Sequence, residues 1–364
     1  MNTTSELIRG LAGRLMRHPA APYHEHAPRA EVERICAEHR LPFEQDRFGN
    51  VLVRLRRAPR QRPLVLAAHL DHPGFEILRP LSATRWLARF RGGVPDNYFR
   101  AGTPVRLMPG EISAKLGSRK GKERTFEIRA SRVARSRPRF AVWDLEDFAV
   151  RRRRIYGRAC DDLVGVAAVL ATLIELKRAR ARANVLGVIS RAEEIGFHGA
   201  LAFAAQGGLP GNSLLISLET SRELPGVKMG QGVILRVGDR TSIFNPEATR
   251  FLAEVASELK LRRKAFVFQR ALMSGGTCEA TAYQEFGFQT AAVCVALGNY
   301  HNCAPQNRIK AEFVSVSDVR SMVDLLVAAA TQIPHYSRLT GKLPRRLNRM
   351  LREARKNLPR TAEA

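Results

Sequence analysis

LVLAAHLDHPG, residues 64–74, sets the pattern by which the chain is read. A short apolar run ends at His69 and Asp71 and is closed by Pro73-Gly74, the signature of a buried strand that delivers polar side chains at its end. On an extended backbone, residues two apart project to the same side, so His69 and Asp71 face one direction. A metal-bound imidazole needs an acceptor on its other nitrogen, and Asp71 is placed to provide one. The plainer alternative for this motif alone is a packed histidine with an N-capping aspartate.

Four further segments repeat the arrangement: GRACDDLVG (157–165), GVISRAEEIGFHGA (187–200), LLISLETS (214–221) and ALGNYHN (296–302). Together the five supply His69, Asp161, Glu194, Glu219 and His301 as an oxygen and imidazole ligand set, with Glu193 left over as a general base. Asp161 and Asp162 would repel each other unless a cation or a helix N-terminus stabilises them. A carboxylate bridging two metals removes that conflict. Glu193 and Glu194 divide the labour, one binding metal while the other takes a proton from the attacking water. Glu219 follows LLIS, and a lone carboxylate at the end of a buried strand is costly unless it is paired or coordinates a metal. Taken singly, each motif has an ordinary capping explanation; the set favours the metal.

Outward from these segments, helices are expected over 4–17 and 28–40 and strands over 51–55 and 64–68. Residues 76–155 change character to short alternating runs such as PVRLMP, TFEIRA and FAVWDL, the mark of a small β-rich insertion. The α/β pattern then resumes with a helix over 162–178, VLGVIS, LLIS, helices near 246–260 and 278–285, AAVCVA, and a helix over 315–333. The fold class expected is α/β, a mostly parallel central sheet with helices on both faces. Its catalytic domain would comprise 1–75 and 156–335, with 76–155 an inserted β-rich domain serving assembly or as a lid, and 336–364 a basic amphipathic tail. Ligands in such sheets gather beyond the carboxyl ends of the strands, where the motifs lie.

The 364 residues carry a formal charge of +26, which by itself would point to nucleic acid or an acidic surface. The arginines are spread along the whole chain, so a general composition bias is the preferred explanation and nucleic-acid or acidic-surface binding is disfavoured. Two stretches are denser. Arg151–Arg154 precedes the second motif and is expected to attract acidic substrates. In the tail, Leu347, Met350, Leu351, Ala354 and Leu358 share one helical face opposite arginines, and docking on the body or on a neighbouring subunit is preferred to surface binding. The five cysteines contain no C-x-x-C pair, and no apolar run of about 18 residues is present to span a bilayer. A cytoplasmic location is expected. Cys303 near His301 suggests a thiol nucleophile only weakly, the glycines of LMSGGTCEA suit a tight turn or a substrate-binding backbone, and His24 and His26 are expected in a solvated loop.

In the order H-x-D, D-D with a following glycine, E-E-x-G-x-x-G-A, an acidic strand end, G-G-T and Y-H, these motifs resemble the tetrahedral and glutamyl aminopeptidase family of co-catalytic dinuclear zinc exopeptidases, over about residues 30–333. The resemblance implies two divalent ions per chain, zinc first and cobalt or manganese next. His69, Asp161 and Glu219 would hold one ion and Asp161, Glu194 and His301 the other, with Glu193 the general acid/base and Asp71 the support of His69. It also implies a cis Asp161–Asp162 peptide, a homo-oligomer, and removal of N-terminal residues from short peptides. Glu219 stands where the family usually has Asp, and Cys278 where an acidic residue is usual. These departures keep open an amide or acyl hydrolase of carboxypeptidase or deacylase type on a small substrate. A basic binding protein that has lost catalysis is the remaining alternative.

Overall fold

The computed structural model describes residues 3–121 and 123–362. A large mixed sheet runs in the order Phe43–Gln45, Val51–Arg56, Asn184–Ser190, Leu64–His69, Leu214–Arg222, Gln289–Gly298, Glu312–Ser315, Arg154–Gly157 and Ala149–Arg151. Val233–Gly238 branches from Gln289–Gly298 and pairs Phe268–Leu272. The parallel pairing expected for most of the sheet is concentrated at its centre, among the four strands from Asn184–Ser190 to Gln289–Gly298. Both flanks are antiparallel. Only the outermost pairs, Phe43–Gln45 with Val51–Arg56 and Ala149–Arg151 with Arg154–Gly157, are hairpins closed by short turns, whereas the parallel neighbours need long crossovers.

Helix Cys160–Arg178 is buried along nearly its whole length and packs between the sheet and helices Thr4–Met16 and Val316–Gln332. Its composition of Val, Ala, Leu and Gly suits an element with apolar surroundings on every side. Helix Thr4–Met16 is held at its start by a reciprocal Thr3–Glu6 capping box and buries Leu7, Ile8, Leu11 and Leu15.

Residues expected as one β-rich insertion over 76–155 divide between two sheets. Gly74–Pro80, Arg85–Arg91, Thr125–Ala130, Ile112–Arg119, Pro104–Met108 and Phe140–Trp143 form a closed barrel, completed where the first of these strands pairs the last. Phe75, Phe90, Phe126 and Trp143 fill its interior. The hairpin of Ala149–Arg151 and Arg154–Gly157 belongs to the large sheet, joined by a two-residue turn in which Arg152 and Arg153 have φ of 46° and 65°.

The tail also begins later than expected. Tyr336–Thr340 docks on the body, with Leu339 buried and Arg62 stacked 4.4 Å over the Tyr336 ring. Helix Lys342–Thr361 follows, and none of its residues is buried.

Candidate active site

Four parallel or adjoining strand ends converge on one crevice. His69 is the last residue of Leu64–His69 and lies beside Ser190 at the end of Asn184–Ser190. Glu193 and Glu194 follow in a turn opened by Ala192 at φ 51°. Glu219 lies within Leu214–Arg222 rather than at its end, because that strand runs five residues further than LLIS suggested. His301 sits in a left-handed turn, φ 52°, between Asn299 and Asn302, which are also left-handed. Asp161 and Asp162 open the long helix with non-helical torsions and are joined by a cis peptide. Asp162 is fully buried, neither solvated nor an ordinary cap, and its carboxylate occupies the space that a side chain at residue 165 would need.

The five expected ligands come together with Glu193. Asp161 presents one oxygen to each histidine: Oδ1 is 3.6 Å from His69 Nε2, and Oδ2 is 3.6 Å from His301 Nε2. His69 Nε2 also lies 3.8 Å from Glu193 and 3.9 Å from Glu219, while Glu194 is 3.2 Å from His301 Nε2. Donor atoms of His69, Glu193 and Glu219, and separately of Asp161, Glu194 and His301, fall within 4.8 Å of one another. Glu193 therefore stands as close to the first group as the expected ligands do.

Buried carboxylates outnumber the imidazoles, and the electrostatics register it. Burial, then the neighbouring acids, pushes Glu193 and Glu219 well above the usual carboxylate range. Burial is the largest single effect and opposes protonation of His69 and His301, yet the acids around each together outweigh it, Glu193, Asp161, Asp71 and Glu219 at His69 and Glu194 with Asp161 at His301, and hold both well above an ordinary imidazole. Asp161 Oδ1 is buried without a hydrogen-bond donor. A surplus of desolvated negative charge with an orphaned oxygen fits divalent cations.

Asp71 does more than expected. Its Oδ1 lies 3.5 Å from His69 Nδ1, and the two carboxylate oxygens accept the backbone N–H groups of Glu193 and Glu194 at 2.9 and 3.1 Å. On the other side of the crevice Glu312, missed in the sequence, accepts from Asp161 N at 3.0 Å and from His301 N at 2.8 Å. His72, also missed, lies between the Asp161 carbonyl, 2.9 Å from Nδ1, and Asn302 Oδ1, 3.0 Å from Nε2; burial pushes its pKa down to about 4, so the neutral ring donates to one of the two. Its signal lay in plain view in H-L-D-H. For Glu312 the signal was an acid entering the strand FVS.

The minor candidates separate. Burial pushes the Cys303 thiol up to about 11, and its Sγ contacts the His301 carbonyl, so no thiol–imidazole pair forms. Cys278 is buried among Phe244, Ala280 and Ala292, and its N–H donates to Asp239. Glu279 beside it is buried, raised to about 7 by desolvation, and accepts a short bond from Ser190 Oγ. His24 is half-buried and stacked on Phe140 at 5.1 Å, not solvated; His26 is exposed at a helix start. Arg151–Arg154 line neither cavity at the crevice.

Beside the cluster lies a small pocket walled by Leu224, Met273, Gly275, Gly276 and two arginines, exposed Arg222 and buried Arg236. It opens into a wider cleft of about 850 Å³ that shares Glu193, Glu194, Tyr300 and His301. Arg236 donates to Ser221 Oγ at 3.2 Å, and its Nε has no acceptor.

The sequence profile of the M42 glutamyl aminopeptidase family matches residues 137–325. A provisionally assigned aminopeptidase of Acetivibrio thermocellus is 24% identical over 304 residues, covering 78% of this chain and 86% of its own. Among solved structures, the aminopeptidase APDkam598 of Desulfurococcus kamchatkensis superposes with a TM-score of 0.76 at 20% identity, covering 93% of this chain and 98% of its own. The Pyrococcus horikoshii TET1 peptidase, described as assembling into a tetrahedron or a large octahedral shell, gives 0.73 at 20% identity, over 90% of this chain and 99% of its own.

Proposed function

The chain belongs to the M42 glutamyl aminopeptidase family and is a metal-dependent aminopeptidase, and from that premise we propose that its crevice would hold two divalent ions, with Asp161 among the residues that would hold both. His69 and Glu219 complete one site, Glu194 and His301 the other. The observation that carries this reading is the opposed pair of 3.6 Å approaches from the two Asp161 oxygens to the two histidines. Zinc suits the nitrogen and oxygen donors, as cobalt and manganese do. The acyl-hydrolase and inactive-binder alternatives lose ground to the family match.

When bound, the ions supply Lewis acidity at the scissile carbonyl and a water of lowered pKa. Glu193, enclosed beside His69 with its N–H fixed by Asp71, receives the proton of the attacking water and passes it to the leaving amine. Asp71 and Glu312 position the groups around the reacting centre. The N-terminal side chain of the substrate enters the pocket bearing Arg222 and Arg236, which favours an acidic residue there. A homo-oligomer in the cytoplasm, with the barrel contributing to its contacts, agrees with the assemblies described for the Pyrococcus protein and with five free cysteines.

Elemental analysis tests the metal reading. About two ions per chain are expected, with loss in Asp161→Asn; a wild-type chain that stays metal-free after zinc or cobalt addition would sink it. Comparison of Glu-headed and Leu-headed substrates tests the pocket. Equal rates, or an Arg236→Met variant that treats both as the wild type does, would remove the acidic preference.

A further inference from the structure

Helix Lys342–Thr361 sorts its residues by face and buries neither face. Leu347, Met350, Leu351 and Leu358 fall on one stripe at helical spacing and are 52, 51, 46 and 66% exposed. Arg349, Arg352 and Lys356 are exposed on the opposite face, Arg355 is exposed at the border of the stripe, and Glu353 is the helix's single acidic residue. The root is fixed to the body: Lys342 Nζ bonds Glu254 at 2.8 Å and Glu258 at 2.9 Å. There the stripe continues through Leu343 into a shallow cavity walled by Ile243 and Phe244 and rimmed by Arg250 and Arg270.

We propose that this helix is an anchor that lies in the interface of an anionic lipid bilayer, its leucines at the acyl boundary and its arginines among the headgroup phosphates. Charge and apolarity together choose that occupant. A nucleic acid would satisfy the arginines but leave the leucine stripe in water. A second copy of the helix would cover the stripe but leave the arginine face of each copy without an anionic partner. An anionic bilayer answers both faces at once, and the chain's +26 charge adds attraction at longer range. No described helix is long and apolar enough to cross a membrane, so the helix lies on the surface and does not span it. The anchor lies beyond residue 325, where the family match ends, and is independent of the active-site reading.

The test uses the full chain with vesicles of phosphatidylcholine alone or mixed with phosphatidylglycerol, read by co-sedimentation. One triple variant, Leu347→Ser, Met350→Ser and Leu351→Ser, keeps every charge; another, Arg349→Gln, Arg352→Gln and Arg355→Gln, keeps the stripe. The wild type is expected to bind the mixed vesicles alone. The arginine variant should lose roughly a hundredfold in affinity, and the serine variant at least about tenfold. Dipeptide hydrolysis should be unchanged in both, which separates lost binding from lost folding. Indifference of the wild type to phosphatidylglycerol overturns the proposal. So does wild-type binding by the serine variant, which would mark a purely ionic surface, the more so if that variant also retains a duplex oligonucleotide in a salt-sensitive way. A fall in subunit number by light scattering in the serine variant, with no vesicle binding by the wild type, would assign the stripe to a second copy instead.

Discussion

In the crevice, Asp71 and Glu312 are buried and accept backbone N–H groups, while buried Asp161, Glu193 and Glu219 have only imidazoles 3.6–3.9 Å away. In the barrel, acids stay near the surface and meet guanidinium groups, Glu76 with Arg91 at 2.7 Å and Asp96 with Arg119 at 2.9 Å, while the interior is aromatic. One region accumulates negative charge at a cost to folding and leaves it free for a cation. The other neutralises charge locally and draws its stability from apolar contact. Substitutions in the first should therefore damage function, and those in the second stability.

Glu193→Gln gives the largest effect expected, a fall in kcat of about 10²–10⁴-fold with metal content and melting temperature preserved. Metal lost along with activity would instead move Glu193 among the ligands, as its distance to His69 permits. In the barrel, Phe75→Ala removes a ring that meets Phe90 and Trp143 edge-on at 4.9 and 5.0 Å. About 3–5 kcal/mol of unfolding free energy should go with it in a urea titration. The activity of the folded fraction should not change; a reduced kcat there would join the barrel to the site.

Glu312→Gln keeps the shape but can accept only through one atom, leaving one of the Asp161 and His301 N–H groups unanswered. Metal affinity, measured by chelator competition, is expected to drop by about 10–100-fold, and a change under twofold would reduce Glu312 to packing. The smallest effect lies where the N-terminal segment meets the barrel, at His24 on Phe140. Desolvation lowers the pKa of His24 below 6.5. Above that pH the folded and unfolded chains are both neutral there. Below it the unfolded chain takes up a proton that the folded one resists, so stability falls as pH drops through 6.5 toward the lower folded value. His24→Gln should flatten that acid slope in urea titrations at stepped pH; an identical slope would clear His24 of the effect.

The strand-end motifs were legible because apolar runs leading into His or Glu carry two signals in one segment, and the helix over 162–178 because its burial is written in composition. Closure of the barrel was not, since it depends on Gly74–Pro80 finding Phe140–Trp143 some sixty residues on, a pairing no local pattern encodes. The 149–157 hairpin was hidden by its turn. Two positive φ values usually invite Asn-Gly, and here Arg152 and Arg153 adopt them. Arg236 went unnoticed because RVG in a strand gives no warning that its arginine will be buried, and Glu312 because its partners are 151 and 11 residues away.

Asp71 and Glu312 each clasp two backbone N–H groups, one pair from neighbouring residues and the other from segments far apart in the chain. The frame of the crevice is thus set by bonds internal to the protein. Uptake of ions by such a frame should resemble docking into a rigid receptor, with a small heat-capacity change in calorimetry and little gain in amide-exchange protection. That is the opposite of a zinc finger, in which the metal and the fold arrive together.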